Sequence, residues 1–322
     1  MNCPVCDSAS VSKHYTLHDR FFGVTPERFQ SYLCRDCEAL FLDQGLVCDR
    51  LAEFYPGNYW WSPQGISGRL ETFYRHFVLK HDHLAFVKRA LRGFPSPECL
   101  EIGCGSGTFT GMARREGLNI KGLEISAEAV AEARRMGIDC IEHGTVDAAV
   151  TSGKVYDAVI FFHLLEHLCE PRDFMKKVSG LVRAGGSLVL QVPNRSSWQA
   201  RLLGSRWYGL DCPRHVCNYT LKTLEKLLSC HGFRIEDVDT FSLRDNAPAF
   251  VSSLFPRLDP LGSRVKSLAA GKSPGRLSTL LRNSVYFGMV LMMQPYAWIE
   301  SLFARGGTVK IQAIRQPRED ES

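Results

Sequence analysis

The sequence predicts an α/β fold: a doubly wound, mostly parallel seven-stranded sheet, preceded by a small N-terminal ribbon. From residue 98 onward, short apolar runs alternate with helix-like stretches, which is typical of a parallel sheet with helices on both faces. A glycine-rich loop follows the first of these runs. Two Cys-x-x-Cys pairs lie within residues 1–44, which indicates a separate small module.

Each strand and helix of the predicted core has its own local signal. The strand 158–162 is continuously apolar, as expected of a strand that is buried on both faces. Ser126 and Thr220 are placed to cap helices, and Pro171 opens another helix at its first turn. The predicted strands are 98–102, 119–123, 138–141, 158–162, 187–192, 233–240 and 307–314, and the main helices between them are 109–116, 127–136, 171–182 and one that follows Thr220.

Composition bounds the class of protein. The 322 residues are 45% hydrophobic and 23% charged, with a net charge of +5, which is ordinary for a globular chain of one large domain and a smaller module. No basic region followed by an apolar run begins the sequence, and no stretch of 18 apolar residues occurs. Of the twelve cysteines, the eight outside the two pairs are scattered singly, and this pattern favours metal binding and free thiols. We therefore expect a cytoplasmic protein.

The N-terminal cysteines have the spacing of a structural zinc site. Cys3 and Cys6 form one pair, and Cys34 and Cys37 form the second. Four thiolates on two tight turns satisfy tetrahedral zinc, with His14 or His18 in place of one cysteine as an alternative. Residues 1–60 carry five Lys/Arg and eight Asp/Glu, a net charge of −3 that argues against binding nucleic acid.

The chain divides into four predicted segments: the ribbon 1–44, a connector and helix 45–95, a core formed by 96–242 with 305–317, and an insert 243–304. Within the second segment, the helical spacing covers 69–92. The insert separates two strands that we expect to form a hairpin. Its basic and apolar stretch 264–303 is consistent with a cap over the substrate, a dimer face, or a peripheral contact with a membrane.

The loop from Gly103 to Gly107 predicts a nucleotide-binding turn. Dinucleotide enzymes have a further glycine where this chain has Thr108, which disfavours a nucleotide-dependent oxidoreductase. Glu124 ends the next strand, where a carboxylate can bind both hydroxyls of a ribose. Glu101 would repel a pyrophosphate but suits a ligand with an amino group. S-adenosylmethionine has a ribose and an ammonium and no phosphate.

Three segments resemble the motifs of class I S-adenosylmethionine-dependent methyltransferases: residues 100–109, residues 122–126 and residues 156–168. The resemblance covers roughly residues 98–242, and it implies a Rossmann-like sheet with the cofactor at the carboxyl ends of the strands. The resemblance assigns ten residues to cofactor binding, among them the loop glycines and the two glutamates discussed above. They are Glu101, Gly103, Cys104, Gly105, Gly107, Glu124, Ile125, Thr145, Val146 and Phe162.

Candidate catalytic residues follow the fourth and fifth strands of the core. His163, Glu166 and His167 would share a face of a helix, where they could be structural, could position substrate or move a proton, or could bind a divalent metal. Quinone-precursor O-methyltransferases resemble this segment, with a glutamate in place of His163.

His215 is the best candidate for a general base, in a segment that resembles zinc-bearing small-molecule methyltransferases; the alternative is a hydrogen bond to a loop carbonyl. Arg214 could face an anionic substrate group or solvent. The predicted function is methyl transfer from S-adenosylmethionine to an oxygen or carbon atom of a small-molecule acceptor. An acceptor that is linked to a sugar or a lipid is one form of this prediction. The alternative is a catalytically silent S-adenosylmethionine-binding protein whose ribbon is an interaction module.

Overall fold

A computed structural model describes residues 1–55, 76–269 and 275–317. Its core is a sheet of seven strands: β4 (Glu98–Ile102), β5 (Asn119–Glu124), β6 (Ile141–His143), β7 (Tyr156–Phe162), β8 (Val182–Pro193), β10 (Phe233–Asp239) and β11 (Thr308–Arg315). Their order in the sheet is β10-β11-β8-β7-β4-β5-β6. All neighbours from β8 to β6 are parallel, whereas β11 runs antiparallel to both β8 and β10. The predicted fold class is confirmed.

Helices connect these strands and cover the sheet. They are α2 (Ala85–Ala90), which continues a π-helical turn at Lys80–Leu84, then α3 (Thr108–Arg115), α4 (Ala127–Arg135), α5 (Val146–Thr151), α6 (Pro171–Leu181), α7 (Trp198–Leu203) and α8 (Leu221–Ser229). Short 3-10 helices lie at Leu165–His167, Gly204–Arg206 and Tyr208–Leu210. Apolar side chains of the central strands are fully buried between the helix layers, as the continuous apolar run of β7 predicts.

The N-terminal module forms a second sheet that includes a strand from the core. Its strands are β1 (Val11–His18), β2 (Arg28–Cys34) and β3 (Leu40–Leu42), followed by α1 (Gln44–Val47) and a 3-10 helix at Cys48–Phe54. The two-residue strand β9 (Cys217–Asn218) pairs antiparallel with β3. This sheet therefore joins the cysteine-bearing module to the segment that follows the fifth core strand.

The segment between β10 and β11 is helical. It contains α9 (Asn246–Leu254), α10 (Pro260–Ala269) and α11 (Arg276–Leu302). None of the described helices is long and apolar enough to cross a membrane. Since β10 and β11 pair along their length, these helices interrupt a hairpin without disturbing the order of the sheet.

Several local expectations differ from the structure. The strand expected at 138–141 lies at Ile141–His143, and the strand expected at 187–192 begins earlier, as the longer strand β8 from Val182 to Pro193. Cys48 and Cys169, expected to be single thiols, form a disulfide across 121 residues. The part of the predicted helix 69–92 that precedes residue 76, and the connector after residue 55, lie outside the described residues.

Candidate active site

The glycine loop turns the chain from β4 into α3. Gly103, Gly105 and Gly107 have φ angles of +70°, +55° and +71°, a region that side-chain-bearing residues rarely adopt. A Cβ atom at Gly107 would lie 2.8 Å from the side chain of Ile141, so the close packing of the loop also requires glycine there. Gly107 is the N-cap of α3, which leaves the first backbone N–H groups of this helix near the loop.

Glu124, at the end of β5, is held beside this loop. Its carboxylate accepts hydrogen bonds from the backbone nitrogens of Gly105 at 2.8 Å and Ser126 at 2.9 Å. Its backbone carbonyl accepts from Gly144 at 3.0 Å, which brings the segment after β6 to the same place. The side chain is buried, and each carboxylate oxygen keeps a further lone pair for a ligand hydroxyl.

Glu101 is a buried carboxyl below the loop. Burial, the largest influence, raises the pKa of Glu101 to about 7, while a hydrogen bond from the Thr110 hydroxyl opposes the increase. Glu124 adds a second negative charge nearby, which also raises this pKa. Two carboxyl groups beside three glycines fit a ligand that carries hydroxyls and a positive charge. They do not fit a phosphate.

The remaining residues predicted to bind cofactor surround this loop on neighbouring strand ends. Ile125 is 71% exposed directly after Glu124, where a planar ring could cover it. Thr145 caps α5 by accepting a hydrogen bond from the Ala148 nitrogen, and Val146 begins that helix. Cys104 packs on the cluster around Ile141, and Phe162 ends β7 with its ring against Phe109.

The segment after β7 places His163 between two carboxylates. His163 Nδ1 lies 3.2 Å from Glu166 Oε1, and Nε2 lies 3.3 Å from Asp245 Oδ2. Burial disfavours the charged ring, but Asp245 and Glu166 outweigh it and raise the pKa of His163 to about 9. The backbone φ of His163 is +52°, a strained value for a non-glycine residue. Gln191, on β8, donates to Asp245 at 2.6 Å and lies 2.9 Å from His163 Nε2.

A second cluster contains Glu166, His167 and His215, whose nearest ligand atoms all lie within 4.8 Å of one another. His167 Nδ1 is 3.0 Å from the Arg214 carbonyl and 2.8 Å from the Tyr55 hydroxyl. Burial lowers the pKa of His167 to about 4, so this ring is neutral. The ring of His167 also packs edge-to-face against the ring of His215, with 4.7 Å between the ring centroids.

His215 has a defined tautomer. Its Nδ1 lies 2.8 Å from the carbonyl oxygen of Gly209, which can only accept, so Nδ1 carries the proton. In the neutral ring, Nε2 then has the lone pair that a general base requires. A hydrogen bond to a loop carbonyl and a role as general base were predicted as alternatives for His215. One imidazole can serve in both roles, because they use different ring nitrogens.

Arg214 does not face substrate or solvent, and that prediction is wrong. The side chain is fully buried, with ion pairs to Asp19 at 2.9 Å and Asp211 at 2.7 Å. It also donates to the Phe54 carbonyl at 3.1 Å and lies over the Phe22 ring. Asp19, Phe22 and Phe54 belong to the N-terminal part of the chain, so Arg214 fastens that part to the core.

The four N-terminal cysteines converge as their spacing predicts. Cys3 Sγ lies 3.6 Å from Cys37 Sγ, Cys6 Sγ lies 3.6 Å from Cys34 Sγ, and all four sulfurs are within 4.8 Å of one another. Tetrahedral zinc with Zn–S bonds of about 2.3 Å requires sulfurs about 3.8 Å apart. The donor set and spacing therefore fit zinc, without His14 or His18.

Sequence reasoning missed His83, Asp245, Gln191 and Tyr55 as members of the site. Gln191 carried a usable signal, because a glutamine inside the apolar run of β8 is buried and needs a partner. Asp245, at the N-cap of α9, and His83, in the π-helical turn, come from segments that only the tertiary fold brings to the end of β7.

The family model described as "Methyltransferase domain" matches residues 74–238, just over half of the chain. The chain belongs to this family of methyltransferase domains.

Curated relatives include the ubiquinone biosynthesis O-methyltransferases of Cronobacter sakazakii and Erwinia tasmaniensis. The first is 26% identical over 46% of this chain and 62% of the relative, and the second is 28% identical over 48% and 65%. The matched region thus spans less than two thirds of either relative.

Solved structures that resemble the chain include the magnesium protoporphyrin IX methyltransferase of Synechocystis with bound SAH. It has a TM-score of 0.47 at 14% identity and covers 85% of this chain and 100% of that one. A putative sarcosine dimethylglycine methyltransferase from Galdieria sulphuraria has a TM-score of 0.47 at 11% identity, with coverage of 74% and 86%.

Proposed function

We propose that this chain is an S-adenosylmethionine-dependent methyltransferase that methylates a hydroxyl group of a small molecule, with His215 as the general base. The observation that carries the proposal is the hydrogen bond from His215 Nδ1 to Gly209, which leaves Nε2 as the basic atom. Transfer to oxygen is favoured over carbon because the curated relatives above are O-methyltransferases.

The cofactor residues act by charge and by fit. S-adenosylmethionine supplies an electrophilic methyl group when it is bound. Glu124 would accept hydrogen bonds from the ribose hydroxyls, and Glu101 would face the ammonium group with a buried negative charge. The three glycines let the backbone approach the ligand closely. Ile125 would cover one face of the adenine.

The acceptor must lose a proton as its oxygen attacks the methyl group. His215 would receive that proton at Nε2, because its Nδ1 proton is engaged by Gly209. Glu166 is buried near His215 and stabilises a positive charge on the imidazole. Tyr55 and Arg214 hold His167 in place behind this base.

Turnover to S-adenosylhomocysteine with a panel of small phenols and sugar alcohols tests the proposal. We expect His215→Ala to lower kcat about 100-fold or more without changing cofactor affinity, because the base contributes to the chemical step. His231→Ala is the matched control, since His231 Nδ1 also bonds a backbone carbonyl, that of Leu227, but lies just past the end of α8. Glu124→Gln should weaken cofactor binding, whereas Glu142→Gln, on the neighbouring strand and exposed, should not.

Two results would contradict the proposal. Cofactor binding with no turnover on any acceptor class would favour the silent binding protein. Unchanged kcat in His215→Ala would remove His215 as the base, even if the enzyme were active.

We also propose that Cys3, Cys6, Cys34 and Cys37 hold a structural zinc ion. The distances between their sulfurs and the small core of this module support the proposal. Metal analysis of purified protein should give one tightly bound zinc that Cys34→Ser removes and that Cys230→Ser, at an exposed thiol, does not. A zinc content that is the same in both variants would refute it.

A lipid-linked acceptor is proposed from the surface of α11, which is about 40 Å long at 1.5 Å per residue. Among the described residues from Leu277 to Phe303, none of the exposed side chains is charged, and eleven are large and apolar. Lys266, on the preceding helix, is exposed and cationic. This combination favours peripheral contact with an anionic membrane over a covering cap, because the face is not packed on the core.

Flotation with anionic phosphatidylserine vesicles tests the membrane contact. We expect the wild-type protein to float with the vesicles and a Leu280→Ser, Leu291→Ser double variant to stay in the bottom fraction. The control variant Leu202→Ser, at an exposed leucine on α7, should still float with the vesicles. A stable dimer that does not float would instead assign this face to a second copy of the chain.

A further inference from the structure

A cluster of His83, His163 and Asp245 lies beside the site described above. His83 comes from the π-helical turn before α2, His163 follows β7 directly, and Asp245 is the N-cap of α9. Their nearest ligand atoms, two imidazole nitrogens and a carboxylate oxygen, lie within 4.8 Å of one another. Three distant segments therefore converge on one small volume.

His83 lacks a hydrogen-bond partner in this volume. Its side chain is completely buried, and neither ring nitrogen has a partner among the described residues. Its ring stacks on Phe162 at 4.3 Å and 8°, which fixes the imidazole plane. Burying an imidazole without hydrogen bonds is unfavourable, because the ring nitrogens lose their bonds to water and gain none in return.

The other two residues supply the rest of a ligand set. Asp245 Oδ2 faces His163 Nε2 at 3.3 Å, with 21% of the Asp245 side chain and 25% of the His163 side chain exposed. The cluster is thus reachable from outside, whereas its third member, His83, is not exposed. Glu166 lies on the opposite nitrogen of His163, so an ion bound at Nε2 would replace the proton there and leave the Nδ1–H to bond Glu166.

We infer that His83, His163 and Asp245 form a divalent-cation site, distinct from the four-cysteine cluster, for an ion such as Zn²⁺, Mn²⁺ or Co²⁺. Two imidazoles and one carboxylate suit these ions and leave coordination positions open. If the proposed O-methylation is correct, an ion here would bind the acceptor hydroxyl and lower its pKa. Metal binding itself does not depend on that function.

Cobalt titration of the full-length, zinc-loaded protein tests the site. Wild-type protein is expected to take up one equivalent of Co²⁺ with weak visible bands and no thiolate-to-cobalt charge-transfer band, because the ligands are nitrogen and oxygen. His83→Ala and Asp245→Asn should each weaken this uptake by more than about 100-fold. His81→Ala is the matched control, because His81 is exposed in the same π-helical turn.

Circular dichroism and zinc content verify that each variant is folded. If His83→Ala does not fold, His83→Phe, which keeps the stack on Phe162 without a ligand atom, replaces it. No uptake beyond the four-cysteine zinc in wild-type protein would overturn the inference, as would undiminished uptake in both the His83 and the Asp245 variant. Neither readout requires turnover, so this inference and the proposed methyl transfer can fail separately.

Discussion

At the scale of single residues, buried charges decide how the site is built. Arg214 illustrates this most clearly, since its guanidinium bonds two carboxylates and a carbonyl with no exposure to solvent. From sequence, an arginine beside a candidate base suggests a substrate contact. The structure uses it to join two parts of the chain, because Asp19 reaches it from beyond β1.

We expect Arg214→Met to destabilise the protein by about 3–5 kcal/mol, because it leaves Asp19 and Asp211 buried without a counter-charge. Urea unfolding followed by circular dichroism measures the change. Arg201→Met, at an exposed site on α7, is the control and should change stability little. Equal midpoints for the two variants would show that the buried pair does not hold the module to the core.

A prediction about pH follows from Glu101. The pKa of the Glu101 carboxyl is about 7 in the folded protein and 4.5 in an unfolded chain. Since the folded state therefore binds the proton more tightly, the free energy of unfolding should fall as the pH rises from about 4.5 to about 7. Glu101→Gln should remove this contribution to the pH dependence of stability and raise the melting temperature at pH 8.

Cofactor binding should depend on pH in the opposite sense. A cationic ligand favours the ionised carboxyl, so wild-type affinity for S-adenosylmethionine should rise with pH up to about 7 relative to Glu101→Gln. Calorimetry at several pH values measures the difference. Glu300→Gln is the matched control, since burial also raises the pKa of Glu300 to about 7 but Glu300 bonds Gln199 and Gly307 instead. The same pH profile in wild type and Glu101→Gln would refute the assignment.

At the scale of elements, hydrogen bonds at helix ends connect the core to the cysteine-bearing module. Thr220 caps α8 and forms a capping box with Thr223. The Thr223 hydroxyl also donates to the carbonyl of Cys37 at 2.7 Å. The strand β9 lies just before this cap and pairs with β3. One short stretch of chain thus ends a core loop, starts a helix and supports a cysteine turn.

Thr220→Ala should cost about 1 kcal/mol, because it leaves the backbone N–H of Thr223, in the first turn of α8, without its acceptor. If the four cysteines hold the proposed zinc ion, its release should also become faster, since Thr223 loses a partner that orients it toward Cys37. Thermal unfolding and the rate of zinc release to a chelator report the two effects. Thr151→Ala, at an exposed threonine at the end of α5, should change neither.

At the scale of the whole molecule, the N-terminal and core parts are fastened at several places. The buried Arg214 pairs, the β3–β9 ladder and the Cys48–Cys169 disulfide all cross between them. Cys169 lies two residues after His167, and Tyr55 lies one residue after the 3-10 helix that begins at Cys48. The fastening therefore holds the Tyr55–His167 contact at the site.

Replacing both Cys48 and Cys169 by serine should lower stability by about 2–5 kcal/mol, because the disulfide closes a loop of 121 residues. Unfolding without reductant measures the loss, with Cys230→Ser as control. Thiol titration of the unfolded, metal-free wild type should give ten free thiols of twelve cysteines. Twelve reactive thiols would show that the disulfide is absent.

Much of the core could be predicted from the sequence because its signals are local. Apolar runs, capping residues and glycine positions depend on neighbouring residues, and they placed β4, β5, β7 and β10 closely. The spacing of the cysteines likewise predicted their convergence, because each pair lies on one turn. The pattern of polar residues around the glycine loop pointed to the class of cofactor for the same reason.

The acceptor side of the site was decided by tertiary structure. His83 and Asp245 lie 162 residues apart, and each looks ordinary within its own segment. The burial of Arg214 and the pairing of β9 with β3 also depend on contacts across more than 150 residues. Local sequence reports backbone preferences and apolar periodicity, whereas the environment of a charged group depends on which distant segments surround it. The sequence by itself therefore determined the fold and the kind of cofactor, and only the folded chain determined which side chains meet where the methyl group would be transferred.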